Sequence, residues 1–363
     1  MKVLHVLGEL RASGAEVGLE KASGHWQHRG VHGDILAIGE TRGAFAGRLE
    51  AAGYAVEFLR YRPDPRVLAA YMRLIRRGRY DIVHIHSERA FFYLCLGARF
   101  AGARVVRTVR AYYEFEGSLA RRRALQRRFA RQAGAQFIAI SPSVAANERD
   151  RFGNPTILID NWVDTVYFRP PSLEQRQAAR LALDVTDDQV AIVTVGNCAP
   201  GKNHPALLQA LERMQDLPWV WLHVGEERPN AEEQTLAASL GLYERCRFLG
   251  RRDPLGPLHA SDVYAMPSLH EGLGMATIEA LSTGLPALLT DVPGNRDLSA
   301  LDVSTYFCST DPAGLADGLR AATRAAAQGF ADRRIFQHET MEKKYGIERG
   351  VKAYTSLYAS LLE

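Results

Sequence analysis

Short apolar, β-branched runs alternate along this chain with longer amphipathic stretches, and that alternation limits the fold more than any other feature. In the first half the runs are Val3–Leu7, Asp34–Ile38, Val56–Leu59, Ile82–His86, Val105–Val109, Phe137–Ile140 and Thr156–Ile159. In the second half they are Val190–Val195, Val220–Val224, Arg247–Leu249, Val263–Met266 and Ala287–Thr290. Strands apolar on both faces, separated by helix-length segments, imply parallel sheets covered by helices, an α/β architecture. With 363 residues the chain exceeds one typical core and suits two. The rhythm breaks from Asp160 to Pro171, which reads as a linker. Leu173–Leu181 then looks helical and the alternation restarts. Two such units joined mid-chain leave a cleft, a common place for ligands. The stretch from Gly346 to Glu363 is a helix candidate with Val351, Tyr354, Leu357, Tyr358 and Leu361 on one stripe. It either closes the second core or packs back on the first domain.

Hydrophobic residues make up 47% and charged residues 24%, the balance of an ordinary soluble protein. No apolar run approaches the roughly 18–20 residues that span a bilayer, and the N-terminus enters a strand directly, so no secretory signal is expected. Cys95, Cys198, Cys246 and Cys308 are scattered without metal-type spacing and read as reduced, mostly buried thiols of a cytoplasmic protein. The charge is uneven. Of 45 Lys+Arg and 41 Asp+Glu, residues 1–168 hold 26 and 16, a net of +10, which leaves 19 and 25, a net of −6, for the rest. Such an asymmetry suggests that the first half meets something anionic.

The segment His270-Glu271-Gly272-Leu273-Gly274-Met275-Ala276-Thr277-Ile278-Glu279-Ala280-Leu281 carries the chemistry. A strand, a glycine loop and a run of helix formers follow in that order, which makes an anion site: first-turn amides and the helix dipole both favour a phosphate. Glu271 sits just before the helix, where a carboxylate can hold sugar hydroxyls. Glu279, about two turns deeper, can accept hydrogen bonds from a ribose diol. Spacing alone fits equally a capping acid and one helix-surface Glu.

Glu271-x7-Glu279, with its Gly-Leu-Gly interior and trailing Ala-Leu-Ser-Thr-Gly-Leu-Pro, resembles the signature of the retaining glycosyltransferases of family 4. Further pieces lie in the family's order: Ser13-Gly14-Ala15-Glu16, Asp81–His86, Ile140-Ser141, Asn161–Asp164 with Phe168 and Pro170, Val195-Gly196 through Lys202-Asn203-His204, Phe248-Leu249-Gly250 with Asp262-Val263, and Asp291–Asn295. The resemblance implies the GT-B fold, two Rossmann-like domains facing a central cleft. Residues 1–165 would form the acceptor domain and 166–345 the nucleotide-sugar donor domain, with 346–363 a helix crossing back to the first. It implies transfer with retention from a nucleotide-diphosphate sugar, UDP-sugar favoured, to a hydroxyl of a glycan, glycolipid or similar acceptor in surface polysaccharide or glycoconjugate synthesis. Carried over, Lys202 neutralises the diphosphate, the backbone of Gly272, Leu273, Gly274 and Met275 binds phosphate oxygens, Glu271 the donor sugar and Glu279 the ribose. Gly14 and Gly196 would lie against the donor or acceptor, and Gly250 and Arg251 beside the base. No D-x-D motif is present, so no metal or other cofactor is expected and the burden falls on Lys202 and the helix N-terminus. An epimerase or hydrolase on the same fold, a natural-product transferase and a non-catalytic sugar-nucleotide-binding relative are the rival readings.

Two positions depart from the family pattern. Asn197 stands where an arginine is usual and donates only neutral hydrogen bonds. Arg110 replaces a histidine; it can supply charge near the donor or grip an acidic acceptor, but it cannot be a general base. Trp162 replaces a small glycine and reads as a hinge or core contact. His84 and His86 share one strand face, and without an acidic or cysteine partner they read as packed or substrate-facing rather than as metal ligands. Arg121, Arg122, Arg123, Arg127, Arg128 and Arg131 form a basic helix preceded by Tyr112, Tyr113 and Phe115. That face suits an anionic membrane surface, as for lipid-linked acceptors, and equally a solvated face. No nucleic-acid motif accompanies it. The expected location is cytoplasmic, with peripheral contact at the inner face of the cell membrane.

Overall fold

Two parallel sheets organise the residues that the computed structural model describes, 1–327 and 331–363. The first has seven strands, β1 (Lys2–Leu7), β2 (His32–Ala37), β3 (Ala55–Phe58), β4 (Ile82–Ile85), β5 (Arg104–Val109), β6 (Ala135–Ala139) and β7 (Ile157–Leu158), in the order β3-β2-β1-β4-β5-β6-β7. The second has six, β8 (Val190–Val195), β9 (Trp219–Val224), β10 (Cys246–Phe248), β11 (Val263–Met266), β12 (Ala287–Thr290) and β13 (Thr305–Cys308), in the order β10-β9-β8-β11-β12-β13. The central strands are buried apart from end residues, and β9, Trp-Val-Trp-Leu-His-Val, along its whole length, which is why they read as continuous apolar runs. β13 was not anticipated. It is a half-buried edge strand with Thr305 its only β-branched residue, and it is held in place by pairing of Ala287 with Thr305 through Thr290 with Cys308.

Contacts divide the chain into two units, Met1–Trp162 with Ile347–Glu363, and Val163–Gly346. The C-terminal helix Ile347–Ser360 therefore belongs with the first sheet. It buries Ile347, Val351, Tyr354 and Tyr358 against the helix Gly14–His28 and its surroundings. Polar contacts fix it there. Tyr354 Oη lies 2.8 Å from Thr108 Oγ1, and Tyr358 Oη lies 2.5 Å from His84 Nδ1. Trp162 is a core contact: its Nε1 donates to the Gly18 carbonyl at 3.2 Å and its ring meets Trp26 and Tyr354 edge-on. In both sheets the order reverses once, between β1 and β4 and between β8 and β11. Loops leaving the carboxyl ends at such a reversal diverge and open a crevice for a ligand.

The basic helix, Gly117–Gln132, corrects one expectation. Arg127 faces inward and is fully buried, its Nε 2.8 Å from Glu148 Oε2 and its Nη1 3.1 Å from Glu88 Oε1. Its guanidinium stacks over Phe152 at 4.5 Å. A fully buried carboxylate at Glu148 needs a paired cation, so Arg127 serves the interior rather than a surface. Arg123 and Arg131 are half-buried, and Tyr113 stacks on Phe115 at 5.1 Å as packing. Arg121, Arg122 and Arg128 are exposed, together with Leu125 and Phe129. No helix among the described residues is long and apolar enough to cross a membrane. All four cysteines are free, with Cys95, Cys198 and Cys246 buried and Cys308 half-buried.

Candidate functional site

Each sheet carries a polar cluster at its point of reversal. In the second unit, the loop after β8 brings Lys202 to the loop after β11. Lys202 ends the short turn Pro200–Lys202, and Asn203 then takes a left-handed conformation, φ 55°, to start the helix His204–Glu212. The Asn203 side chain donates to the Thr310 carbonyl at 2.9 Å, and the Leu269 amide donates to Gly201 O at 2.8 Å, which ties the two loops together. Lys202 Nζ then lies 2.8 Å from Glu271 Oε2, and Ser268 Oγ donates to the same oxygen at 3.3 Å. An ammonium has three donors, so this pair leaves Lys202 with donors to spare and Glu271 with its second oxygen.

Beside the pair begins the helix Met275–Ser282, with Gly274 extended at its N-cap. The first-turn amides of a helix lack intrahelical partners and carry the positive end of the dipole. Glu279 is 8% exposed on this helix, a buried carboxylate rather than the helix-surface Glu that its spacing equally allowed. The loop after β12 braces the glycines from the other side. A Cβ on Gly294 would stand 1.9 Å from the Gly272 carbonyl oxygen, so only glycine permits this approach. Asn295 Nδ2 donates to Thr290 O at 2.9 Å, and Thr290 Oγ1 donates to Ser268 O at 2.5 Å. These bracing residues, and Gly225, were given no role by the sequence reading. Gly225 faces the Gly196 carbonyl, where a Cβ would stand 2.1 Å from the oxygen. The signal for it was a glycine directly after a strand end.

Two expected donors are already engaged. Asn197 Oδ1 accepts from the Glu226 amide at 2.8 Å, which leaves only its NH2 to donate outward. Arg251 pairs with the Glu226 carboxylate and so is not a lone cation. Gly250, beside it, accepts from the Gly225 amide at 3.1 Å through its carbonyl.

In the first unit the cluster sits at the carboxyl ends of β1, β4 and β5. Gly14 opens the helix Gly14–His28, and Ser13 before it donates to the Glu16 carboxylate. Burial raises the Glu16 carboxyl above its ordinary range. Arg110, one residue past β5, reaches His86 Nδ1 with Nε at 3.2 Å and Nη2 at 3.1 Å. A guanidinium only donates, so Nδ1 accepts and a neutral His86 carries its proton on Nε2. That proton faces His5 Nδ1 at 3.2 Å, and His5 then carries its own proton on Nε2, which has no partner among the described residues. Burial holds His5 down to about 3 and His86 well below the usual histidine range. Arg110 is therefore the fixed cation of a neutral histidine relay, not a solvated loop residue. His84 is packed, with Nε2 2.7 Å from Thr108 Oγ1 and Nδ1 on Tyr358.

Two family models match the chain: residues 12–167 match "Glycosyltransferase Family 4" and residues 175–326 match "Glycosyl transferases group 1". The chain is 28% identical over 249 residues to the UDP-Gal:alpha-D-GlcNAc-diphosphoundecaprenol alpha-1,3-galactosyltransferase of Escherichia coli, covering 65% of this chain and 64% of that enzyme. It is 24% identical over 377 residues to the putative glycosyltransferase EpsF of Bacillus subtilis, covering 98% and 96%. The fold matches the crystal structure of Anabaena Alr3699/HepE in complex with UDP, TM-score 0.83 at 18% identity, over 99% of this chain and 100% of that one.

Proposed function

The chain belongs to the family-4, group 1 glycosyltransferases of GT-B fold, and from that membership we propose that it transfers a sugar with retention from a UDP-sugar to a hydroxyl of a glycan or lipid-linked acceptor. The observation that carries the donor half is the Lys202–Glu271 pair, 2.8 Å apart, beside a helix N-terminus at the reversal of the second sheet. A nucleoside diphosphate leaving group gathers negative charge that must be stabilised in the transition state. Lys202 and the first-turn amides of Met275–Ser282 supply positive character there without a metal. As the diphosphate enters, Lys202 turns a donor to it, and Glu271 keeps Ser268 and takes the hydroxyls of the sugar. Glu279 accepts from the ribose diol. The leaving oxygen, on the same face as the incoming hydroxyl, removes the acceptor proton.

The nucleotide assignment is supported by the UDP bound to the Anabaena relative and by the UDP-galactose of the Escherichia coli one. The diphosphoundecaprenol acceptor of the latter supports a lipid-linked acceptor here. The exposed face of Gly117–Gln132, with Arg121, Arg122 and Arg128 around Leu125 and Phe129, suits contact with anionic lipid, since cations meet headgroups while the apolar side chains enter the interface. Arg110 would meet the acceptor or its phosphates from the first unit. Incubation with UDP-sugars and short-chain polyprenyl-diphosphate acceptors, with EDTA in excess, tests the proposal. Product with the donor's anomeric configuration is expected. Release of UDP and free sugar whatever the acceptor would instead mark a hydrolase, and strict dependence on added Mg2+ or Mn2+ would contradict the metal-free reading.

A further inference from the structure

Four buried side chains of the second unit take no part in sugar transfer. Cys198 follows β8, His204 opens the helix His204–Glu212, His223 lies on β9 and Glu233 on the helix Glu232–Ser239. His204 and His223 are fully buried and Glu233 is 2% exposed. One ligand atom from each of Cys198, His204 and His223 lies within 4.8 Å of the others. The two imidazoles stand 4.9 Å apart, edge to face, and Cys198 Sγ is 3.8 Å from His223 Nε2. Yet both nitrogens of His204, Nδ1 of His223 and Oε2 of Glu233 have no hydrogen-bond partner among the described residues. Each such orphan costs about 1–3 kcal/mol, and the three imidazole nitrogens beside Cys198 require an account.

We propose that Cys198, His204, His223 and Glu233 bind a zinc ion that fastens the loop bearing Lys202 to β9 and to the helix Glu232–Ser239. The donor set of one thiolate, two imidazoles and one carboxylate is of the zinc type. Tetrahedral ligands at Zn–S of about 2.3 Å and Zn–N of about 2.0–2.1 Å stand roughly 3.4–3.6 Å from each other. The ligand atoms of Cys198, His204 and His223 lie within 4.8 Å of one another and would draw together on the ion, and Glu233, which acts on the Cys198 thiol, would close in as the fourth ligand. His223 Nε2 has the Gly196 carbonyl at 2.9 Å as an anchor, so Nδ1 is the nitrogen it offers, and His204 offers either of its two. Binding forms the Zn–S bond and releases the thiol proton to solvent. One dication with one thiolate and one carboxylate makes a neutral ligand set, beside the Arg228 guanidinium 4.0 Å from Glu233 Oε1. The spacing C-x5-H-x18-H-x9-E follows no common zinc pattern, so only the fold brings the ligands together. The other histidine cluster, His5 with His84 and His86, offers no such site because His84 has both nitrogens bonded.

The test uses the full chain, kept reduced, loaded with Zn2+ and dialysed, with metal measured by mass spectrometry. It is repeated with Co2+, read by absorbance. The wild type is expected to keep a single Zn2+ per chain, and its Co2+ form to show tetrahedral d–d bands and a thiolate-to-cobalt charge-transfer band. Cys198→Ala should lose that band and bind Zn2+ at least about 100-fold more weakly, and Glu233→Gln about 10–100-fold more weakly. A wild type that retains no more zinc than Cys198→Ala, or whose Co2+ spectrum lacks the thiolate band, overturns the site. The cobalt spectrum is read on the wild type, so it decides the matter even where a variant fails to fold.

Discussion

Replacing Arg127 by alanine should destabilise the first unit far more than replacing any exposed arginine of the same helix. The Arg127 side chain is fully buried and holds both oxygens of Glu148, at 2.8–3.1 Å, and both of Glu88, at 3.1 and 3.3 Å. Its loss leaves the buried Glu148 carboxylate with the Asn154 amide at 2.7 Å but without the guanidinium that neutralises it. Breaking a buried pair by removing one partner costs about 3–5 kcal/mol, because the other charge remains desolvated. Loss of the guanidinium from the Phe152 face adds to this. For a unit of this size each kcal/mol lowers the melting temperature by about 2–4 °C. Arg127→Ala should therefore melt roughly 6–20 °C below the wild type, in calorimetry or by circular dichroism. Arg128→Ala, exposed on the same helix, should stay within about 0.5 kcal/mol. Equal melting of Arg127→Ala and wild type would refute the buried-pair reasoning.

Other outcomes follow from the same structure. Gly294→Ala drives a Cβ into the Gly272 carbonyl, 1.9 Å away, and should cost about 1–3 kcal/mol of stability and weaken UDP binding measured by calorimetry; unchanged affinity would separate this loop from the donor site. His5, His84 and His86 have depressed folded-state values through burial, so only the unfolded chain takes up their protons as pH falls below about 6.5. Stability should thus be flat for these groups above that pH and fall below it, by roughly 3–4 kcal/mol at pH 5.5 for the three together. Urea midpoints that do not move between pH 7.5 and 5.5 would contradict this. Charge reversal at Arg121, Arg122 and Arg128 should abolish flotation with anionic liposomes without changing the melting temperature, and equal binding to neutral liposomes would sink the lipid reading.

Much of the fold was legible because strands buried on both faces advertise themselves. β8, β11 and β12 coincide with the runs Val190–Val195, Val263–Met266 and Ala287–Thr290. β13 escaped because an edge strand needs neither apolar faces nor β-branched residues, only a neighbour to pair with. The burial of Glu279 was one of two readings that its spacing allowed, and the packing of its helix decides between them. The pairing of Lys202 with Glu271 was not legible, since 69 residues separate them and only the reversal between β8 and β11 brings their loops together. Arg127 was misread for a related reason. A run of arginines looks like a surface, and the acids that Arg127 meets, half-buried Glu88 and buried Glu148, lie elsewhere in the chain. The histidine relay behind Arg110 likewise depends on three strands and shows in no local pattern.

The most direct measurement of the central claim is the response of wild type, Lys202→Ala and Glu271→Ala to UDP and to UDP-sugar, by thermal shift and by turnover with a polyprenyl-diphosphate acceptor. The donor site described here predicts that UDP raises the wild-type melting temperature. Lys202→Ala should lose most of that shift. Glu271→Ala should keep the UDP shift yet lose transfer by about 100-fold or more. Transfer that survives Glu271→Ala, or a UDP shift undiminished by Lys202→Ala, would contradict the account.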